Sequence, residues 1–311
     1  LRPLGLRLVV VIETVGLGVE GVRVTYTGNL DLEMPDLTSY NLCNAAEKLE
    51  AEFLEGSVYQ NTYDGMSKYY ERLKNVKDGL DEYWLSKPLQ VGVGQKHALT
   101  FEMGNKEMKT LFTVSYNNVV GVMKESYRNT FSGTAQISYR KSNFLFRDIA
   151  TITRNKTQDS PYGTFSEYAK ANPYYEKKPD GRVEKWLEYK EELIESPNPL
   201  WNANLNSRAL DRSFGVTNNF SAEYNPLTSL KIRGRFGITK TINESDDFLS
   251  PEDTSFDDTE ELKKGSLAYQ NGKNLQYEGE LKWNENGDYS GVFICSGILI
   301  PICRYVDLLA D

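Results

Sequence analysis

The stretch Gln95–Arg140, QKHALTFEMGNKEMKTLFTVSYNNVVGVMKESYRNTFSGTAQISYR, decides how the chain is read. Leu99, Phe101 and Met103 alternate with Thr100 and Glu102. Gly104-Asn105 then supplies a turn. Phe112, Val114 and Tyr116 alternate with Thr113, Ser115 and Asn117. After a break, Tyr127, Phe131, Ala135, Ile137 and Tyr139 oppose Arg128, Thr130, Ser132, Thr134, Gln136, Ser138 and Arg140. Period-two alternation places one residue set on each face of a strand, so each run is a strand with one apolar and one polar face.

The same pattern recurs on both sides. Upstream, Val22, Val24, Tyr26, Leu30 and Leu32 alternate with Arg23, Thr25, Thr27, Asn29 and Asp31. Downstream, a less regular strand runs from Phe144 to Thr153, with Asp148 breaking its aromatic face. Phe214 to Tyr224 and Leu230 to Ile242 are the cleanest strands, joined through Asn225-Pro226. Leu275 to Trp283 follows, with Asn284-Glu285-Asn286-Gly287 as the next turn.

Between strands the periodicity changes. Asn44 to Glu52 is rich in helix formers. Tyr69, Leu73, Val76, Leu80 and Trp84 recur at spacings of three and four within Met66–Leu85, a second helical stretch. A polar segment of about fifty residues, Arg154 to Asn206, is far longer than a hairpin loop and is a functional candidate. It should hold a short helix over Phe165–Ala171. An acidic loop is expected from Glu244 to Glu261.

Composition narrows the function. The chain has 311 residues, a net charge of −8, 39% hydrophobic residues and a single histidine, His97. No apolar run approaches the roughly 20 residues of a membrane-crossing helix. One histidine and three cysteines, Cys43, Cys295 and Cys303, leave no zinc or disulfide framework. The acidic balance, with no basic stripe, argues against nucleic-acid binding. No carboxylate pair stands out for glycosidase chemistry. The expectation is a non-enzyme without metal or cofactor. Alternation alone fits either a membrane β-barrel, whose average composition looks soluble, or a large sandwich with one wet face per sheet. Several runs reach the roughly 9–11 residues of a membrane-spanning strand.

The order of motifs resembles the SusC/RagA family of TonB-dependent outer-membrane transporters. His97, Gly104-Asn105, Val114-Ser115-Tyr116, Gly121 and Tyr127-Arg128 fill the places of that family's first barrel strands. Val9–Thr14 resembles the last plug strand, and Asn44-Ala45-Ala46-Glu47 resembles the helix between plug and barrel. Pro173-Tyr174-Tyr175 to Asn198-Pro199 resembles the large outer loop.

The resemblance implies an all-β-dominated fold: an antiparallel transmembrane barrel portion of about ten long strands, short of a barrel of the 22-stranded class, with short helices in the plug–barrel connection and outer loops. Residues 1–21 would be the end of a plug. Residues 22–290 would be the first part of the barrel, with a helical insertion over about 40–87 and a long outer loop over about 154–206. Residues 291–311 lose alternation and read as an atypical tail, either a frameshift or chimeric junction near Tyr289 or a terminal helix.

Nutrient import in the cell outer membrane is implied, with oligosaccharide or peptide as substrate and a SusD-like lipoprotein as partner. The TonB system is implied as the energy source, its docking segment not being in this chain. Arg128, Arg140, Lys231, Arg233 and Arg235 would line the lumen. The alternative is a soluble or surface-attached glycan-binding β-sandwich using Tyr174, Tyr175, Trp186 and Trp201 as stacking platforms. Exposure of Phe220, Phe236 and Ile238 to lipid would favour the transporter; burial under a second sheet would favour the sandwich.

Overall fold

The computed structural model describes residues 20–59, 61–175, 182–190, 193–285, 289–297 and 302–309. In chain order the elements are β1 (Gly21–Glu33), α1 (Ala45–Glu55), α2 (Tyr63–Lys77), β2 (Gly92–Gly104), β3 (Met108–Val120), β4 (Tyr127–Lys141), β5 (Phe144–Gln158), α3 (Phe165–Lys170), β6 (Trp186–Lys190), β7 (Leu193–Pro197), β8 (Arg208–Tyr224), β9 (Leu230–Leu249), β10 (Ser266–Glu285), β11 (Tyr289–Gly297) and β12 (Ile302–Leu309).

Ten strands form one antiparallel sheet in the order β1-β2-β3-β4-β5-β8-β9-β10-β11-β12, with β6 and β7 apart as a small hairpin. Each strand of the large sheet pairs with its neighbour in the chain, apart from the β6–β7 excursion. The connections β2–β3, β4–β5 and β8–β9 are tight and lie at one end. Asn105 closes the first of them: its Oδ1 accepts from the Glu107 and Met108 backbone amides at 2.9 and 2.7 Å. In the second, Ser142 takes the left-handed conformation with φ 50°, as a two-residue hairpin loop requires. The excursions 34–91, 159–207 and 250–265 all leave from the opposite end.

The strands are longer than alternation suggests. β8 has 17 residues, and β9 and β10 have 20 each. The expected acidic loop therefore begins later, because Glu244, Asp246 and Asp247 belong to β9. Likewise Arg154–Gln158 belongs to β5, not to the long loop, and β8 begins at Arg208, ahead of the expected Phe214. These extensions have polar residues on both faces, as strands do where they rise beyond an apolar environment. Within residues 291–311, Gly291–Gly297 and Ile302–Leu309 are strand, and β11 pairs with β10 while β12 pairs with β11. The described part of this segment is thus not helical. The plug-like segment expected over 1–21 lies, as far as residue 19, outside the described residues.

Register places paired residues on the same face. One face carries Val24, Phe101, Phe112, Ala135, Ala150, Asn218, Ile238 and Tyr277 in a single row. Nothing covers it among the described residues: Phe220, Phe236 and Ile238 are 40%, 48% and 37% exposed. Asp148, the polar interruption expected on this face, accepts a hydrogen bond from Asn218 Nδ2 at 2.8 Å. Toward the tight turns the face becomes aromatic. Phe144 stacks on Tyr224 with centroids 4.2 Å apart, and Phe146 lies beside Phe144 and Phe220. Along β8 the apolar positions run from Phe214 to Tyr224. That is roughly 33 Å of strand, or about 25 Å of height at a tilt of roughly 40°.

The buried core lies in the excursions. Trp84, Leu85, Tyr168 and Leu200 form it, with Leu37, Tyr162, Phe165 and Leu187 packed around. Both long helices start by local chemistry. Asn44 caps α1, accepting from Glu47 N at 2.9 Å while the Glu47 carboxylate accepts from Asn44 N at 3.0 Å, a reciprocal capping box. Thr62 caps α2 through Gly65 N, and Gly56 ends α1 at φ 81°.

Candidate functional site

Two surfaces carry the chemistry: the polar face of the sheet and the loop assembly at its far end.

On the polar face, Thr25, Thr100, Thr113, Thr134, Thr151, Thr217 and Thr239 stand side by side across seven neighbouring strands. Pairs within this row bond through their hydroxyls: Thr100 with Thr113 at 3.1 Å, Thr134 with Thr151 at 3.4 Å and Thr217 with Thr239 at 3.3 Å. The next row toward the loops reads Thr27, Ala98, Ser115, Ser132, Thr153, Gly215 and Thr241, with Ser115 and Ser132 bonded at 2.7 Å. Such rows offer short, neutral groups that both donate and accept hydrogen bonds.

Toward the tight turns the same face becomes charged. Arg23 pairs with Glu102, Glu223 with Lys231 and Arg233 at 2.8 and 2.7 Å, and Glu280 with Lys282 at 2.9 Å. Arg128, Arg140, Lys231, Arg233 and Arg235, expected together on a lumen side, do share this face. A hollow of about 590 Å³ opens here around Gly237, bordered by Arg147, Asn219, Arg235 and Glu278. A Cβ on Gly237 would lie 3.1 Å from Asn219 Oδ1 and 3.2 Å from Glu278 Cγ, so the hollow depends on glycine there.

The loop assembly is locked by Arg72. Its Nη1 donates to Tyr59 OH at 2.6 Å, its Nη2 bonds the Glu188 carboxylate, and its guanidinium lies 4.5 Å from the Tyr174 ring centroid. Tyr174 OH donates to Glu52 Oε2 at 2.9 Å and Tyr175 OH to Glu188 Oε2 at 2.7 Å. Lys68 adds a second cation to Glu188. One guanidinium thus joins α2 to the β6 hairpin and the Tyr174–Tyr175 turn. Burial works against the charge on Arg72, but its bond to Tyr59 and the nearby Glu188 carboxylate outweigh this and hold it above its ordinary value. Burial pushes the Tyr175 hydroxyl up to about 12, helped by its bond to Glu188. Burial raises Tyr174 as well.

The four residues singled out as stacking platforms are not together. Tyr174 is buried, and its ring meets that of Tyr175 edge-on at 5.0 Å within the Arg72 lock. Trp186 is half-buried with Lys185 Nζ over its ring at 5.4 Å. Trp201 lies later in the same excursion, its indole N–H donating at 2.9 Å to Glu252 O of the next one. Beside it Asn202 Nδ2 donates to Thr254 Oγ1 at 2.8 Å, and Lys185 pairs with Asp257. These contacts tie the excursion 159–207 to 250–265. Arg72, Glu52 and Glu188 escape sequence reading. The available signal is a charged residue at the i+3 position from Tyr69 on the inward stripe of α2. His97 lies within β2, its Nδ1 bonded to Tyr26 OH at 2.7 Å. Among the described residues no His, Cys, Asp and Glu cluster could hold a metal ion.

No protein-family model and no curated protein matches the chain. Solved structures do. The structure of the RagAB peptide transporter superposes with a TM-score of 0.69 over 94% of this chain and 39% of that one, at 11% identity. The RagAB peptide importer in its open-open and closed-closed states gives TM-scores of 0.64 and 0.60 over 93% of this chain, at 11% and 12% identity. The chain has the fold of part of these transporters and spans 39% of their length.

Proposed function

We propose that this chain forms the first stretch of the wall of a SusC-like, TonB-dependent importer in the outer membrane. In this reading the exposed apolar face meets lipid and the aromatic residues near the tight turns sit at one interface. The hydroxyl rows and charged belt face a wet lumen, and the locked excursions stand on the outer side. The single observation that carries it is a long-stranded antiparallel sheet whose apolar face is uncovered over a height of about 25 Å, the band of a membrane barrel. The similarity to part of the RagAB transporter supports the same reading.

The substrate is an oligopeptide or oligosaccharide, a chain able to exchange hydrogen bonds with neutral hydroxyl and amide groups. A SusD-like lipoprotein would cap the excursions, and TonB would supply the energy. Tyr174, Tyr175, Trp186 and Trp201 act here chiefly by holding the outer assembly in shape, with the open sides of Trp186 and Trp201 left for substrate.

Disruption of the coding sequence tests the reading. Cells should lose growth on oligopeptides or on oligosaccharides while growing normally on the free amino acids and monosaccharides. Unchanged growth on every oligomer, with the product in the soluble fraction, would contradict it.

A further inference from the structure

Near its loop end the apolar face is interrupted by cations on four neighbouring strands. On β5, the position after Ile152 on that face is Arg154, followed by Lys156; on β8, Arg212 follows Phe214; on β9, Lys240 follows Ile238; on β10, Lys273 follows Leu275. All five are exposed. Register makes Lys156 a direct neighbour of Arg212, with Arg154 and Lys273 one alternate position nearer the turns and Lys240 one further. Ile242 stands between Arg212 and Lys240 in this patch, so the cations occupy three successive rows around the last apolar residues of β5, β8, β9 and β10. The polar face at the same level carries neutral residues, Asn155, Ser213, Asn243 and Gly272.

The acids nearby do not cancel this charge. On the same face Glu244 stands beside Arg212, and one alternate position beyond it Asp246 is already held by Arg208 at 3.0 Å. Among the described residues Arg154, Arg212, Lys240 and Lys273 have no ion-pair partner, and Lys156 lies 5.3 Å from the Tyr127 ring centroid. In a chain of net charge −8, a cluster of five cations against one free acid runs opposite to the whole.

We propose that this band is a docking surface for the phosphate-bearing headgroups of anionic membrane lipids on the loop side. The inference rests on the reading of the apolar face as lipid-facing. Charge complementarity and continuity with that face identify the occupant. Long cationic side chains at the edge of a hydrocarbon layer keep their stems against apolar surface and their charges among headgroups. Anionic headgroups attract such cations at about 1 kcal/mol each, or about fivefold in affinity, within a Debye length of the surface.

The test uses the full chain, transferred from detergent into vesicles of phosphatidylcholine alone or with a bis-phosphorylated glucosamine lipid. Brominated phosphatidylcholine reports insertion by quenching tryptophan fluorescence. The expected result is quenching in both vesicles and at least tenfold tighter association with the phosphorylated lipid. That preference should vanish in R154Q/K156Q/R212Q/K240Q/K273Q and at high salt, and should survive in R140Q/R147Q/K231Q/R235Q/K282Q, which removes equal charge from the polar face. Inorganic phosphate should not compete. Quenching in both vesicles with equal affinity would overturn the docking surface and leave the lipid-facing reading intact. No quenching in either would overturn both. Loss of preference in the polar-face variant, competition by inorganic phosphate, or preference for an acidic protein over the phosphorylated lipid would also overturn it.

Discussion

Leu85 and Tyr168 in the loop assembly are fully buried, whereas Val22, Tyr26 and Leu30 on the sheet are 63%, 64% and 65% exposed. The two regions use the same residue types in opposite ways. The loops carry their own core and their own buried ion pair, so they can hold their shape against water. The sheet is held together by its backbone ladder and by side-chain pairs, and leaves its hydrophobic side for something outside the chain. A sandwich would have covered Phe220 and Phe236 with a second sheet; among the described residues no sheet lies over them. The difference teaches that hydrophobic pattern alone does not locate a core. The strands have the stronger pattern, and the loops have the core.

Breaking the lock should have the largest effect. R72M takes the guanidinium from Tyr59, Tyr174 and Glu188 and leaves Lys68 as the cation on Glu188; removing one member of a buried ion pair costs up to about 3–5 kcal/mol. The excursion 159–207 should become protease-sensitive and exchange its amides faster, while exchange within β2–β5 stays unchanged. An equal loss of protection in the sheet would erase the distinction between the two regions.

Filling positions on the two sides should diverge next. L85A should cost about 2–5 kcal/mol of loop stability in any solvent. F236R should cost about 2–4 kcal/mol in lipid if it lies near the bilayer middle, yet stay within about 0.5 kcal/mol in detergent-free soluble form, as exposed substitutions do. Paired unfolding measurements in vesicles and in buffer check both. A core-sized penalty for F236R in buffer would mean that the apolar face is covered.

Alkali should loosen the loops only. Tyr175 ionises at about 12 in the folded chain against an ordinary value of 10. Its raised value means that the folded state holds the proton more tightly. The lock is therefore fully stabilised below pH 10 and loses that stability as pH rises toward about 12. Tyrosine absorbance and amide exchange, followed together, should show the excursions opening through this window. Y175F should remove part of the dependence. The smallest effect belongs to the hydroxyl rows. T134V should cost about 0.2–1 kcal/mol, the scale of one cross-strand pair, measured as a shift in the unfolding midpoint.

How much of this was legible from sequence follows the same divide. Alternation located β1–β5 and β8–β10 and assigned their faces, because each apolar strand face sees one medium along its length. It failed where polar residues occupy both faces, so Arg154–Gln158 and Glu244–Leu249 read as loop and Ser266–Asn274 went unassigned. It gave no register, and the seven-threonine row exists only once neighbouring strands are aligned. Tyr174 and Tyr175 stood out as aromatics in a long loop. Their hydrogen bonds to Glu52 and Glu188 were invisible, since they join residues 122 and 13 positions apart. Gly291–Leu309 shows the converse. Its side chains break the alternation, while Gly291–Gly297 and Ile302–Leu309 still pair by backbone, which asks little of side-chain pattern.

The central claim is that the two faces of the sheet meet different media. Spin labels at single cysteines, introduced into a chain whose native cysteines are replaced, test it most directly. Labels at Phe220, Phe236 and Ile238 should collide with dissolved oxygen and be shielded from a water-soluble nickel chelate. Labels at Thr217, Thr239 and Ser132 should show the reverse. Equal access of the chelate to both sets in membranes would contradict the account.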